Sequence, residues 1–262
     1  MPELPEVETI KRALEKKIVG QRIKKIEVLS PKQFIGLPRS CQGKKIIKIK
    51  RLGKTLLWQL TGNEGLLIHL KVTGQLLYNQ SPNSHTRIII HLEKSAVLFN
   101  DQRKFGWMKV IKNLRIYEFM NLGVEPLSKK FTPKVLKKIL STTRRPIKVV
   151  LMDQTKIAGI GNIYANEVLW QTKIDPRKPA KQVKKIKELH SAIQKILKAG
   201  IKYSGTSAAD EAYVRPNGQP GGFQRYLHVY QKEGKPCPRC QTPIKKIKIS
   251  GRGTFFCPKC QK

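Results

Sequence analysis

The chain has 262 residues, 39% of them hydrophobic, enough to bury the core of one large or two medium domains. Lys and Arg number 53 against 17 Asp and Glu, a formal net charge of +36, and the cations run from Lys11 to Lys262 rather than forming a tail. No stretch approaches the roughly 18 apolar residues of a spanning helix, and the first twenty residues are too charged for an export signal. A membrane is therefore excluded as a partner and a polyanion such as nucleic acid is expected, the competing account being a lysine bias that only solvates the surface.

Pro5 to Ile18 predicts a helix, with Val7, Ile10, Leu14 and Ile18 on one face and Gly20 as the stop. Short aliphatic runs follow at Ile23 to Leu29, Lys45 to Ile49, Thr55 to Leu60, Leu66 to Leu70, Thr86 to Leu92, Ala96 to Phe99 and Trp107 to Ile111. Gly, Asn and Ser punctuate them as in an antiparallel sandwich or barrel, which gives a β-rich domain with a leading helix over residues 1–125.

Two prolines mark a hinge at 126–133, after which Lys134 to Leu140, Ile147 to Met152, Gly161 to Gln171 and Lys181 to Gly200 predict a mainly helical domain over 134–222. Its last part, Ser204 to Gly222, is rich in Gly, Ser, Ala and Pro and reads as a mobile or substrate-covering loop, not a core element. Residues 223–262 return to short strands around cysteines, so the class is α+β.

Cys237-Pro-Arg-Cys240 and Cys257-Pro-Lys-Cys260 stand sixteen residues apart, the spacing of two zinc knuckles joined by a hairpin. Four thiolates close a tetrahedral shell, so one structural Zn2+ is expected, and a redox dithiol pair would need a βαβ context that is missing here. The fifth cysteine, Cys41, reads as a small inert apolar residue. Inside the hairpin, the glycines of Ser250-Gly-Arg-Gly-Thr254 allow a sharp turn that pushes Arg252 outward, where it could grip a phosphate or simply be solvated.

Asp153 to Tyr164 places a glycine-bearing turn before a helix that starts near Asn162, a phosphate seat or an ordinary capped helix start. At the chain start, Met1-Pro-Glu-Leu-Pro-Glu-Val-Glu8 reads by itself as a helix start with acids in the first turn. Proline at position 2 permits removal of Met1, and the α-amine so exposed, with a pKa of about 7.7–8.0, could attack a sugar C1′ and form an iminium beside Glu3.

Taken together, these motifs resemble the bacterial formamidopyrimidine-DNA glycosylases along essentially the whole chain. Pro2 to Glu8, Gly53-Lys54, His69-Leu-Lys-Val-Thr-Gly74, Asp101-Gln-Arg-Lys-Phe-Gly106, Gly159 to Glu167 and the Arg252 hairpin occur in that family's order. The resemblance implies an N-terminal β-sandwich, a helix–two-turns–helix domain and a zinc finger hairpin, with damaged double-stranded DNA held between the lobes. It implies a monomer working in the bacterial cytoplasm, on the nucleoid through its DNA binding.

By the same resemblance the Pro2 nitrogen displaces an oxidised purine (8-oxoguanine or a formamidopyrimidine), Glu3 transfers protons, and Lys54 assists β-elimination before a δ-elimination. Arg252 belongs to that last step, and because a guanidinium keeps its proton it is read as a phosphate clamp. His69, His85, Lys148, Lys156 and Asn162 match or neighbour positions used on DNA, while Arg103 and Phe105 fill the hole left by the flipped lesion. Without the resemblance Phe105 reads as sandwich core. Val72 stands where the family usually has methionine, a shorter and stiffer wedge.

Leu4, the Arg103-Lys-Phe105 run and Ser204 to Ala209, with Thr206 and Ser207 in the lesion-covering loop, point to the purine group rather than the endonuclease VIII type, which prefers oxidised pyrimidines. A non-catalytic nucleic-acid-binding protein on the same scaffold is the third reading. It leaves Pro2, Glu3 and Lys54 without a purpose.

Overall fold

The computed structural model describes residues 1–114, 121–207 and 213–262. Helix α1 spans Leu4–Ile18. Pro5 sits in its first turn, where a missing N–H costs nothing, and Glu3 and Glu6 form a reciprocal capping box. Gly20, at φ +94°, turns the chain away after the last apolar position.

Nine strands follow: β1 (Ile23–Val28), β2 (Phe34–Ile35), β3 (Ile46–Leu52), β4 (Thr55–Leu60), β5 (Glu64–His69), β6 (Gly74–Tyr78), β7 (Thr86–Leu92), β8 (Ala96–Asp101) and β9 (Trp107–Ile111). They make a four-stranded sheet in the order β1-β7-β8-β6 and a five-stranded sheet in the order β2-β9-β5-β4-β3. Pairing is antiparallel except where β2 lies parallel to β9.

Side chains of both sheets, Trp58 and Phe99 among them, pack with Val7, Ile10, Leu14 and Ile18 of α1 into one core. Alternation then sends Leu57, Leu67 and Ile111 to the opposite face of the five-stranded sheet, where they form a second cluster. Cys41 is buried in the main core, and that burial pushes its thiol up to about 11, well outside the reactive range.

Residues 1–121 and 200–224 form one compact unit, and residues 122–199 with 225–262 form the other. The expectation that Ser204 to Gly222 stands apart from the core is corrected. Tyr213, 2% exposed, belongs to the sandwich core, and its hydroxyl donates to the Ser204 carbonyl at 3.0 Å. The small residues are there for close approach. A Cβ on Gly205 would come within 2.9 Å of Glu6 Cγ, and one on Gly221 would run into the Gly205 carbonyl.

The second unit holds α2 (Pro133–Ser141), α3 (Ile147–Leu151), α4 (Asn162–Gln171) and most of α5 (Ile186–Lys202), followed by a hairpin of β10 (Lys245–Ile249) and β11 (Arg252–Phe256). Thr132 caps α2 by accepting from the Val135 amide at 3.3 Å. α5 begins five residues later than its sequence signal, because Pro179 starts a short 3-10 turn over Ala180–Gln182. Among the described residues no helix is long and apolar enough to cross a membrane.

Gly74 opens β6 against the backbone of the β5–β6 turn: an added Cβ would strike the Leu70 carbonyl and lie 2.8 Å from Leu70 Cα. Gly74→Ala is therefore expected to lower the stability of the sandwich by about 2 kcal/mol or more, read as a lower urea midpoint. An unchanged midpoint would show that the turn relaxes freely.

Candidate active site and nucleic-acid interface

Residues 2–7 are all buried, among them Pro2, Glu3 (2% exposed) and, one turn on, Glu6 (0% exposed). The Glu6 carboxyl accepts the Glu3 amide on Oε2 at 2.8 Å and the Thr206 amide on Oε1 at 2.8 Å. One side chain thus fixes the chain start and the turn at 204–207. Ser207 donates to the Tyr213 carbonyl at 2.6 Å and accepts from the Gly221 amide at 2.9 Å. Thr206 and Ser207 are accordingly the fixed root of the expected lesion-covering loop, whose continuation at 208–212 lies outside the described residues.

The same helix carries Glu8, which bridges to Arg51 at 3.0 Å and to Arg12 at 2.8 Å. Burial would raise its pKa, but the two guanidinium hydrogen bonds outweigh that and hold it below the usual carboxylate range. Arg51 also donates to the Gly53 carbonyl at 3.0 Å, setting the β3–β4 turn in which Gly53 takes φ +57°. Lys54 follows at 7% exposure. The path Glu8–Arg51–Gly53 therefore ties the helix that carries Pro2 to the turn that carries Lys54.

His69 pairs with Thr55 across β4 and β5. Burial first, then the charges of Lys71 and Lys54, push its imidazole down to about 4, so it is neutral at physiological pH. Its Nδ1 accepts from the Lys71 amide at 3.0 Å, which leaves the proton on Nε2 as a donor.

A buried carboxylate organises the loops of this unit that carry the expected DNA contacts. Asp101 accepts from the Thr73 hydroxyl at 2.5 Å, the Gln33 amide group at 3.0 Å and the Gly106 N–H at 2.7 Å. Thr73 in turn accepts from the Arg103 amide at 3.0 Å, and the Asp101 amide donates to the His85 carbonyl at 2.9 Å. Val72, His85, Arg103 and Phe105 are thereby held around one anchor. Phe105 is 53% exposed, so the sandwich-core alternative for it is corrected. The Arg103 guanidinium lies 4.9 Å from its ring centroid, which keeps the ring standing free of the core.

In the second unit the four cysteine sulfurs lie within 4.8 Å of one another. Separations of 4.0 Å for Cys237–Cys260, 3.4 Å for Cys240–Cys257 and 3.3 Å for Cys240–Cys260 suit a tetrahedron with zinc–sulfur bonds of about 2.3 Å. Cys237, Cys240, Cys257 and Cys260 therefore fit one structural zinc, which would close the hairpin and leave no position for a reacting water.

Arg252 is exposed at the start of β11. Lys148, read from the sequence as a DNA contact, is 1% exposed; its ammonium donates to the Gly253 carbonyl at 2.9 Å and to Thr254 Oγ1 at 2.8 Å. In this structure it grips the strand beside Arg252. Asn166 makes a parallel link, donating to the Asn162 carbonyl at 2.6 Å and accepting from the Phe255 amide at 2.9 Å. Asn162 opens α4 half-buried, after Gly161, and Lys156 is exposed in the preceding turn.

Two further residues hold this platform. Glu167, 2% exposed, accepts the amides of His228, Val229 and Tyr230 at 2.9–3.0 Å. Arg239, inside the first knuckle, donates to the Trp170 carbonyl at 2.5 Å and lies 3.7 Å from the Trp170 ring centroid, while His228 stacks on that indole at 4.1 Å. Sequence reading passed over Glu6, Thr73, Asn166, Glu167 and Arg239. Only Glu6 had a local signal, as the third residue of a capping box opened by Glu3.

A β-sandwich led by a helix with a pinned amino end, and a helical unit carrying a four-cysteine hairpin, define an α+β protein of the zinc-finger type. Three family models match in succession: the formamidopyrimidine-DNA glycosylase N-terminal domain over residues 1–108, its H2TH domain over 122–211, and the zinc finger found in FPG and IleRS over 234–262. The chain is 42% identical over its full length to the formamidopyrimidine-DNA glycosylase of Pelotomaculum thermopropionicum, covering 99% of that protein. It is 43% identical to that of Carboxydothermus hydrogenoformans, with both chains covered completely. The crystal structure of the MutM (FPG) protein from Thermus thermophilus superposes with a TM-score of 0.93 at 36% identity, covering 99% of this chain and 98% of that one. The Lactococcus lactis FPG in complex with an oxidised-pyrimidine-containing DNA gives 0.92 at 37% identity, with both chains covered completely. The chain belongs to the formamidopyrimidine-DNA glycosylase family, whose members are glycosylases and AP lyases of base excision repair.

Lys148→Met would leave the Gly253 carbonyl and Thr254 hydroxyl without their donor, and is expected to cost about 1–3 kcal/mol of stability along with DNA affinity. Loss of affinity at unchanged stability would mean that the ammonium works on phosphate instead.

Proposed function

We propose that this protein excises oxidised purines, 8-oxoguanine and formamidopyrimidines, from duplex DNA through a Pro2 iminium intermediate and then cleaves the strand by β,δ-elimination. The observation that carries the proposal is the pinned chain start: Pro2 and Glu3 are buried at the head of α1 and held by Glu6. A nucleophile gains most when its approach is fixed before substrate arrives.

With Met1 removed, the Pro2 lone pair attacks C1′ as the bond from C1′ to the base breaks, and the base leaves carrying a proton. Opening of the sugar gives the iminium. Loss of a C2′ proton then expels the 3′ phosphate, and a second elimination expels the 5′ phosphate. Glu3, beside the nitrogen, is the group suited to receive and return protons, and Lys54 to assist the first elimination while neutralising a phosphate. With Met1 retained, the nitrogen is an amide and the protein is inert.

Asn162 at the positive end of α4, Arg252 on the hairpin and Lys156 in the turn would take phosphates. His69 would donate from Nε2, and His85 would lie along the strand. Arg103 and Phe105 would occupy the vacated stack with Val72 as a short third member, and Ser204 to Ala209 would lie over the lesion. The division of labour follows residues 1–125 for chemistry, 126–133 as hinge, 134–222 for DNA grip and lesion cover, and 223–262 as zinc finger. The protein would act as a monomer on cytoplasmic DNA.

Borohydride reduction of the processed protein with an 8-oxoguanine duplex should trap a covalent adduct through Pro2, and Pro2→Gly, which keeps an amine, should trap less. Absence of any adduct would remove the lyase mechanism. The oxidised-pyrimidine complex of the Lactococcus lactis relative makes base preference a separate test. Excision of 8-oxoguanine and formamidopyrimidine should exceed that of thymine glycol, and the reverse order would transfer the chain to the pyrimidine group.

A further inference from the structure

The second unit has a lysine-lined recess at the end of α4 remote from Asn162. A cavity of about 500 Å³ is walled by Lys173, Lys178, Lys184, Lys185 and Lys262 over Ile174 and Val183. A second, of about 580 Å³, shares Val183 and Lys184 and adds Lys137, Lys181 and Lys187. With ten residues at about 1.5 Å each, α4 puts some 15 Å between this recess and the phosphate seat at its other end.

Charge here is concentrated rather than spread. None of these eight lysines makes a salt bridge among the described residues. Among the described residues the nearby acids are few: Glu188 lines the second cavity, and Asp175 is clamped by Arg177 at 2.6 Å. Concave walls of low dielectric focus such a field, which a convex solvated surface does not do. Lys173 also takes φ +58° just after the helix, where glycine or asparagine is the easy choice.

The composition of the lining narrows the occupant. Among the described residues it contains no arginine, so it lacks the planar fork that recognises a single carboxylate or phosphate group, and no aromatic residue on which an unpaired base could stack. Mobile ammonium point charges over a nearly buried floor suit an extended polyanion of regular charge, bound by counterion release.

We propose that this recess is a second DNA contact, which takes the phosphate backbone of a separate duplex segment while the lesion site is occupied. Such a contact would let the protein pass directly between segments. It goes beyond the excision chemistry and does not depend on the identity of the nucleophile.

The test is the dissociation rate of the protein from a short labelled 8-oxoguanine-analogue duplex, chased with rising concentrations of undamaged duplex. The rate should rise with competitor concentration. In Lys173→Gln/Lys178→Gln/Lys184→Gln/Lys185→Gln the slope should fall at least fivefold, while incision of the short duplex stays within twofold. The corresponding arginine variant, which restores charge, should restore the slope. A rate independent of competitor, or an equal slope in the glutamine variant, overturns the proposal. So does a variant that loses affinity only for a longer single duplex, which would place the recess on the flank of the same DNA. Acceleration by polyglutamate but not by duplex would assign it to an acidic polypeptide and equally overturn it.

Discussion

A carboxyl group with no exposure to water holds the candidate active site of this molecule in place. Glu6 accepts the amide of Glu3 on one oxygen and the amide of Thr206 on the other, so two hundred residues of intervening chain close on a single side chain. Leaving either amide without its acceptor in a dry site would cost about 1–3 kcal/mol, comparable to the loss of a large part of an apolar side chain. The amino end, which would otherwise fray as chain termini do, becomes as fixed as the core beneath α1.

The same device recurs. Asp101 holds the turn containing Val72 and the loop containing Arg103 and Phe105, and Glu167 gathers three consecutive amides that lead into the zinc-binding segment. Lys148 and Asn166 do for the Arg252 strand what Glu6 does for the chain start. The residues suited to touching DNA stand outside these pins, exposed as Arg252 and Phe105 are. A rigid inner layer of satisfied polar groups thus presents an exposed outer layer of contacts, which lets binding strength come from charge without loss of register.

What was legible in the sequence follows from which forces are local. The apolar period of α1, the alternation of β4 and β7 and the spacing of the four cysteines are each set within a few residues, and each is found in the structure at or near its expected bounds. Strands β2 and β6 were not foreseen, because two residues and a glycine-led run of five carry too little pattern. The stretch at 204–222 misled for a different reason: its glycines signal close packing as readily as freedom, and Tyr213, in a run with no strand or helix period, did not reveal a core. Lys148 matched a position used on DNA, but its burial against the zinc hairpin was not foreseen. Its partners lie more than a hundred residues away, and no local pattern announces such a bond.

His69 has a consequence for how the protein meets acid and base. Its imidazole, held at about 4 by burial and by two lysines, carries no charge anywhere in the range in which histidines ordinarily titrate. The hydrogen-bond donor it offers therefore stays constant from mildly acidic to alkaline solution. Any loss of turnover between about pH 6 and 8 would report a different group, and the proposed nucleophile, an α-amine with an intrinsic pKa of about 7.7–8.0, would titrate at the upper end of that interval. A buried imidazole thus removes one ionisation from the pH profile and leaves that of the nucleophile open to direct reading.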